Sequence, residues 1–158
     1  MEIPIFKFAL MEGLSDDFLP KKANNTDTGW DVRSTEDIVL TPKQYIKIPL
    51  GIKVFAPEGW WLELRPRSST FAKKSLHALY GVIDCSYENE VLFACQWCPN
   101  EDELINRKLQ IQKGEAIGQI IPVKRQEMII ERITNEEFEK ACKERNHTRG
   151  KGGFGSSG

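Results

Sequence analysis

The sequence predicts an all-β domain of the sandwich, jelly-roll or barrel type. Short runs rich in Ile, Val, Leu and aromatic residues recur between Pro and Gly turn signals, and no helical pattern alternates with them as parallel βα units would require. The length of 158 residues suits one domain and lets roughly 70% of the unfolded surface be buried in a single core. With 40% apolar and 28% charged residues, the chain has the composition of a folded globular protein rather than a disordered one.

In chain order the strand candidates are IPIFKFAL, DIVL, QYIKIPLGIKVF, WWLELR, LYGVID, EVLFACQW, KLQIQ, AIGQIIPV and MIIERI. Turns are marked by Thr41-Pro42 and Pro57-Glu58-Gly59, and the polar stretch Pro99 to Asn106 is expected to join two antiparallel strands by an extended hairpin loop. One short helix is predicted in the C-terminal half, at about 135–145. Thr134 and Glu137 form a capping box, Ile133 and Phe138 stand at staple positions, and Glu136/Lys140 and Glu139/Lys143 are favourable i,i+4 pairs. The stretch TFAKKSLH reads either as a second helical turn capped by Ser69 or as a connecting loop.

Several function classes are excluded or weakened. With 22 basic and 23 acidic residues, the net charge of −1 argues against a dedicated nucleic-acid binder, which needs a basic excess to displace counterions. No apolar run approaches a membrane span. The start MEIPIFKFAL lacks the basic segment and cleavage site of a secretory signal, so a cytoplasmic location is expected, in the host cell if the source is a virus or phage. Free thiols are then expected for Cys85, Cys95, Cys98 and Cys142. Cys95 and Cys98 form a C-x-x-C, but on a strand positions three apart face opposite ways, and His77 and His147 stand alone, so the pattern does not make a zinc site.

The last ten residues, RGKGGFGSSG, change composition abruptly. Taken alone they read as a flexible terminus, although Arg149, Phe154 and the close-approach backbone that Gly allows also suit phosphate binding. Four further segments carry phosphate- or base-handling chemistry: Thr28-Gly29-Trp30-Asp31-Val32, Pro66-Arg67-Ser68-Ser69, Gly81-Val82-Ile83-Asp84-Cys85-Ser86-Tyr87 and Gly114-Glu115-Ala116-Ile117-Gly118-Gln119. Each has a plain reading. Arg67-Ser68-Ser69 suits a strand end followed by a helix cap, Asp84 a turn, Tyr87 the core, Gln119 a solvated strand position and Asp31 a turn.

Together and in this order, the five segments resemble the motifs of the trimeric deoxyuridine triphosphatases, from Thr28 to Gly158. The resemblance implies a distorted jelly-roll subunit, with residues 1–148 as the β domain and 149–158 as an arm closing an active site. It implies a homotrimer with shared sites that hydrolyses dUTP to dUMP and pyrophosphate with Mg²⁺. Asp84 would hold and deprotonate the attacking water. Ser68 would face the departing pyrophosphate, with Arg67 organising the phosphate site and Ser69 beside it. Ala78, Gly81, Val82, Ile83 and Leu92 would read uracil through main-chain groups of the hairpin around Asp84, and Tyr87 would pack on the deoxyribose. Gln119 would contact the phosphate chain, and Asp31 would reach Mg²⁺ through water. Arg149 and Ser157 would face the γ-phosphate with Gly155 and Ser156 alongside, and Phe154 would stack on uracil.

The sequence departs from the family pattern at Thr28, Trp30, Ser69, Ser86, Asn89 and Ala116, and its 99–106 loop looks longer than usual. A deoxycytidine triphosphate deaminase shares the fold and an Arg-Ser-Ser motif, but Ala94 stands near the place of the glutamate that its reaction needs. The third reading is a nucleic-acid-binding module, on the strength of Arg149, Lys151 and Phe154 in the Gly-rich tail.

Overall fold

The computed structural model describes residues 3–100 and 107–145. Contacts divide the chain into Met1–Gln126 and Glu127–Gly158.

The first unit is built of β1 (Lys7–Leu10), β2 (Trp30–Arg33), β3 (Ile38–Leu40), β4 (Tyr45–Pro49), β5 (Ile52–Phe55), β6 (Trp60–Pro66), β7 (Leu76–Ala78), β8 (Gly81–Ile83), β9 (Leu92–Trp97), β10 (Leu109–Ile111) and β11 (Ala116–Lys124). A five-residue helix, α1 (Ser68–Ala72), separates β6 from β7. Every ladder is antiparallel: β2-β11-β6-β8, β4-β9-β7, β1-β5 and β3-β10. This is the predicted all-β jelly-roll architecture.

Period-two alternation builds the core. Leu62 and Leu64 of β6 and Phe93, Cys95 and Trp97 of β9 point inward with Ile48, Leu50, Leu76 and Ile117. Each such side chain contributes about 1.5–3 kcal/mol by leaving water. Cys95 belongs to this core, and burial pushes its thiol up to about 11, which keeps it neutral. Cys98, just after β9, is only partly buried, and all four cysteines are free. Gly118 permits a close approach in the core, because a Cβ there would stand 3.0 Å from the Phe93 ring and 3.2 Å from the Arg65 carbonyl oxygen. Gly118→Ala is therefore expected to destabilise the fold by about 1–3 kcal/mol, measured as a lower denaturant midpoint at unchanged slope.

Four expectations need correction. The run QYIKIPLGIKVF is two strands with different partners, β4 on β9 and β5 on β1, divided at Gly51 with φ +70°. Pro99–Asn106 does not close a hairpin, because β9 pairs with β4 and β7 whereas β10 pairs with β3; residues 101–106 lie outside the described ones. The segment around Asp84 is the long connection of a hairpin, since β7 and β9 pair antiparallel on either side of it, and within it β8 lies on β6 in the other sheet. The helix after Arg67 begins earlier than TFAKKSLH suggests, and its N-cap is Arg67, with Ser69 inside the first turn. Finally, MIIERI forms no strand, since it has no ladder partner among the described residues, and Met128, Ile129 and Ile130 are exposed. A strand exists only by pairing, and local propensity does not supply a partner.

The described part of the second unit holds α2 (Asn135–Arg145), at the predicted place. Its capping box is complete. The Thr134 amide donates to Glu137 Oε2 at 2.7 Å, and the Glu137 amide donates to Thr134 Oγ1 at 3.2 Å. The hydrogen bonds from the Thr134 amide and then its hydroxyl group hold the Glu137 carboxyl below its ordinary pKa. Neither Glu136–Lys140 nor Glu139–Lys143 is among the ion pairs of the described residues. No helix among the described residues is long and apolar enough to cross a membrane.

Candidate active site

The phosphate-handling candidates converge through the β2-β11-β6 ladders. Gln119 stands opposite Asp31 on one side and Arg65 on the other, and paired residues of an antiparallel ladder share a face. Their inward neighbours Val32, Leu64 and Ile120 are buried in the core, which turns Asp31 and Gln119 outward. Asp31 is fixed from both sides, since its main chain also exchanges hydrogen bonds with Lys21 at 2.8 and 3.2 Å. Its carboxylate Oδ1 lies 3.0 Å from Arg67 Nε, with the Asp31 side chain mostly covered and Arg67 about one-third exposed. This orientation leaves the Arg67 Nη groups without a partner among the described residues.

Two further bonds lock the second and fourth motifs together. Gln119 Nε2 donates to the Pro66 carbonyl at 3.2 Å, and the buried Thr70 hydroxyl of α1 donates to the Ile117 carbonyl at 2.6 Å. Gly29 makes room for this arrangement, because a Cβ there would overlap the Gln119 side-chain oxygen. Ser68 is exposed and Ser69 partly so at the start of α1, directly after Arg67. One end of the β2-β11-β6 ladders thus collects Asp31, Arg67, Ser68, Ser69 and Gln119. The chemistry is a fixed cation, hydroxyl and amide donors and one carboxylate.

Asp84 is elsewhere. The β6–β8 register pairs Leu64 with Gly81 and Leu62 with Ile83, so the chain leaves β8 at the Trp61 end of β6. Arg67 lies at the opposite end, about 20 Å away at ~3.3 Å per residue. Asp84 is exposed and begins a turn closed by the Tyr87 amide on the Asp84 carbonyl at 3.0 Å. The Tyr87 hydroxyl donates to the Glu90 carbonyl at 2.9 Å. Its partly buried ring lines a cavity of about 350 Å³ with Cys85, Ser86, Phe55, Lys7 and Lys53. Among the described residues β8 is an edge strand, so Gly81, Val82 and Ile83 carry main-chain groups on a side with no ladder partner there. Ala78 ends β7 opposite Cys95, and Leu92 starts the same strand, β9, opposite Pro49.

Trp30, one of the departures from the motif pattern, faces away from Asp31. Its ring lines an apolar cavity of about 300 Å³ with Phe6, Phe8, Leu62 and Ile120, and Lys22 Nζ stands 4.2 Å from the ring centre. That departure therefore leaves the Asp31 side of β2 intact. Arg149, Phe154, Gly155, Ser156 and Ser157 lie outside the described residues. Sequence reasoning did not single out Gly29 as the clearance for Gln119, nor Glu90 as the anchor of Tyr87; neither contact leaves a mark in a linear pattern.

The dUTPase family model matches residues 17–158. The chain is 33% identical over 145 residues to a deoxyuridine 5'-triphosphate nucleotidohydrolase of Clostridium tetani, covering 89% of this chain and 88% of the relative. It is 31% identical over 139 residues to the enzyme of that name from Paramecium bursaria Chlorella virus 1, covering 88% and 89%. Among solved structures, the Staphylococcus bacteriophage 80alpha dUTPase with dUPNHPP superposes with a TM-score of 0.77 at 27% identity, over 98% of each chain. A dUTPase variant from phage phi11 of S. aureus, described with a structural Mg(II) ion, shares the fold at a TM-score of 0.69 and 21% identity over 82% of this chain and 96% of its own. Five motifs in family order, the jelly-roll ladders that bring three of them together, and a family match over nearly the whole chain lead to one conclusion: the chain belongs to the dUTPase family.

Proposed function

We propose that this enzyme, a dUTP nucleotidohydrolase by family, cleaves dUTP at the α-phosphorus using a water activated by Asp84. The water oxygen bonds to the α-phosphorus as the bond to the bridging oxygen breaks. The water's proton passes to the Asp84 carboxylate, and the products are dUMP and pyrophosphate. The reaction lowers dUTP and supplies the precursor of dTMP. Arg67 and Gln119 bind the phosphate chain, Ser68 and Ser69 donate to its oxygens, and Ala78, Gly81, Val82, Ile83 and Leu92 read uracil through the main chain.

Mg²⁺ fits as an ion carried by the triphosphate. Among the described residues no three His, Cys, Asp or Glu side chains cluster as a cage, whereas Asp31 offers one carboxylate beside Arg67. Asp31 would hold it through water, and the ion would supply charge neutralisation for the phosphates.

The observation that carries this reading is the outward cluster of Asp31, Arg67 and Gln119, with Asp84 about 20 Å away along the sheet. One dUTP does not need one chain to supply both ends. The separation supports a homotrimer in which Asp84 of one copy meets Arg67 of another, with the 149–158 arm as the closing segment. A pyrophosphate-release assay across the deoxynucleoside triphosphates tests the activity: dUTP turns over, and dCTP yields neither pyrophosphate nor ammonia. Ammonia from dCTP would move the protein to the deaminase branch of the fold.

Tyr87→Ala tests the sugar assignment. Because exclusion of a 2′-hydroxyl is steric, the UTP to dUTP ratio of kcat/KM is expected to rise about tenfold or more, with dCTP still rejected. An unchanged ratio in a folded variant would make Tyr87 a packing residue only.

A further inference from the structure

We infer that Glu90 is a positioning residue for sugar selection: its side chain and main-chain carbonyl tie the Tyr87 ring to the buried turn between β4 and β5. The inference rests on the proposed role of Tyr87 as the wall against the deoxyribose. Steric exclusion works only if the wall does not yield, so whatever fixes the ring also fixes the selectivity.

Three bonds clamp the segment after Tyr87 onto that turn. The Gly51 amide donates to Glu90 Oε1 at 2.8 Å, the Leu50 amide to the Val91 carbonyl at 3.3 Å and the Val91 amide to the Ile52 carbonyl at 2.9 Å. The turn itself is tightly enclosed. Leu50 and Ile52 are 0% and 1% exposed, and Gly51, at φ +70°, has Leu14 and Thr35 where a Cβ would stand. The Tyr87 hydroxyl then bonds to the Glu90 carbonyl, the residue that grips Gly51. Since the Tyr87 amide closes the turn that starts at Asp84, the path runs from an enclosed core turn through Glu90 to the ring beside the proposed base.

Removing the Glu90 carboxylate leaves the Gly51 amide without its acceptor and the Tyr87–Glu90 segment held mainly through Val91. Glu90→Gln keeps an acceptor oxygen in place. Tyr87→Phe keeps the ring and removes only its tether.

The test measures kcat/KM for dUTP, UTP and dCTP with wild type, Glu90→Ala, Glu90→Gln, Tyr87→Phe and Tyr87→Ala, with thermal melts on each. Glu90→Ala and Tyr87→Phe are each expected to raise the UTP to dUTP ratio about fivefold, less than Tyr87→Ala, with the dCTP to dUTP ratio unmoved and Glu90→Gln close to wild type. A merely structural Glu90 would lower the melting temperature without moving the ratio. If Tyr87→Ala relaxes sugar choice while Glu90→Ala does not, Glu90 is no positioning residue and the role of Tyr87 stands. If Glu90→Ala does not fold, Tyr87→Phe decides: an unchanged ratio there overturns the tether. If Tyr87→Ala leaves the ratio unchanged, the sugar wall itself is misassigned and the inference falls with it.

Discussion

Asp84→Asn is expected to bind dUTP with near wild-type affinity and to turn it over two or more orders of magnitude more slowly. The substitution keeps the shape of the side chain and its capacity to accept a hydrogen bond from water, but it removes the basicity that takes the proton as the oxygen attacks phosphorus. The turn should survive, because its closing bond runs from the Tyr87 amide to the main-chain carbonyl of residue 84 and does not involve the carboxylate. No described hydrogen bond or ion pair uses the Asp84 side chain, and it is exposed, so stability should change by well under 1 kcal/mol. Binding by calorimetry with a non-hydrolysable analogue and turnover by pyrophosphate release, on one preparation, separate the two effects. Near-normal turnover would remove Asp84 as the base, whereas lost binding would make its carboxylate a substrate contact.

Arg67→Gln would give a different pattern. In the proposed site Arg67 binds the phosphate chain, and it is ion-paired to Asp31, so its loss should weaken binding as well as turnover and leave Asp31 without its partner. The split between a kcat effect at residue 84 and a combined effect at residue 67 follows from their separation along β6.

Much of this was legible in the sequence because the signals are local. The capping box at Thr134 and Glu137 placed α2 within its observed bounds, since both bonds form inside four residues. The alternation of WWLELR and EVLFACQW located β6 and β9, with Leu62, Leu64, Phe93, Cys95 and Trp97 on the buried faces. What failed was pairing. EVLFACQW and KLQIQ are consecutive strands, yet the first joins β4 and β7 and the second joins β3, a choice set by which buried faces meet rather than by turn residues. Trp30–Arg33 is a central part of the site's sheet, but a four-residue strand with Trp, Asp, Val and Arg shows too little alternation to stand out. The Asp31–Arg67 ion pair likewise joins residues far apart in the chain, so the motifs named both members without showing that they touch.

Deleting Arg149–Gly158 is expected to leave the fold and the assembly largely intact and to reduce turnover at least as severely as Asp84→Asn. The segment carries one large apolar residue, Phe154, and so offers little to a core. Arg149 and the Gly-rich backbone would supply charge stabilisation to the phosphates, and Phe154 would exclude water over the base. A mixing experiment tests whether the arm serves another copy. The full-length Asp84→Asn chain has an arm but no base, and the arm-deleted chain has a base but no arm. Co-refolded, they form mixed assemblies. If the arm acts at the Asp84 of a different copy, some sites combine a good base with a good arm, and activity rises above both parents. If mixing is verified by native mass measurement and activity does not rise, the arm closes over the Asp84 of its own chain. The distance of Asp84 from Arg67 would then still demand a second copy at the phosphate end, but the arm would no longer be part of the sharing.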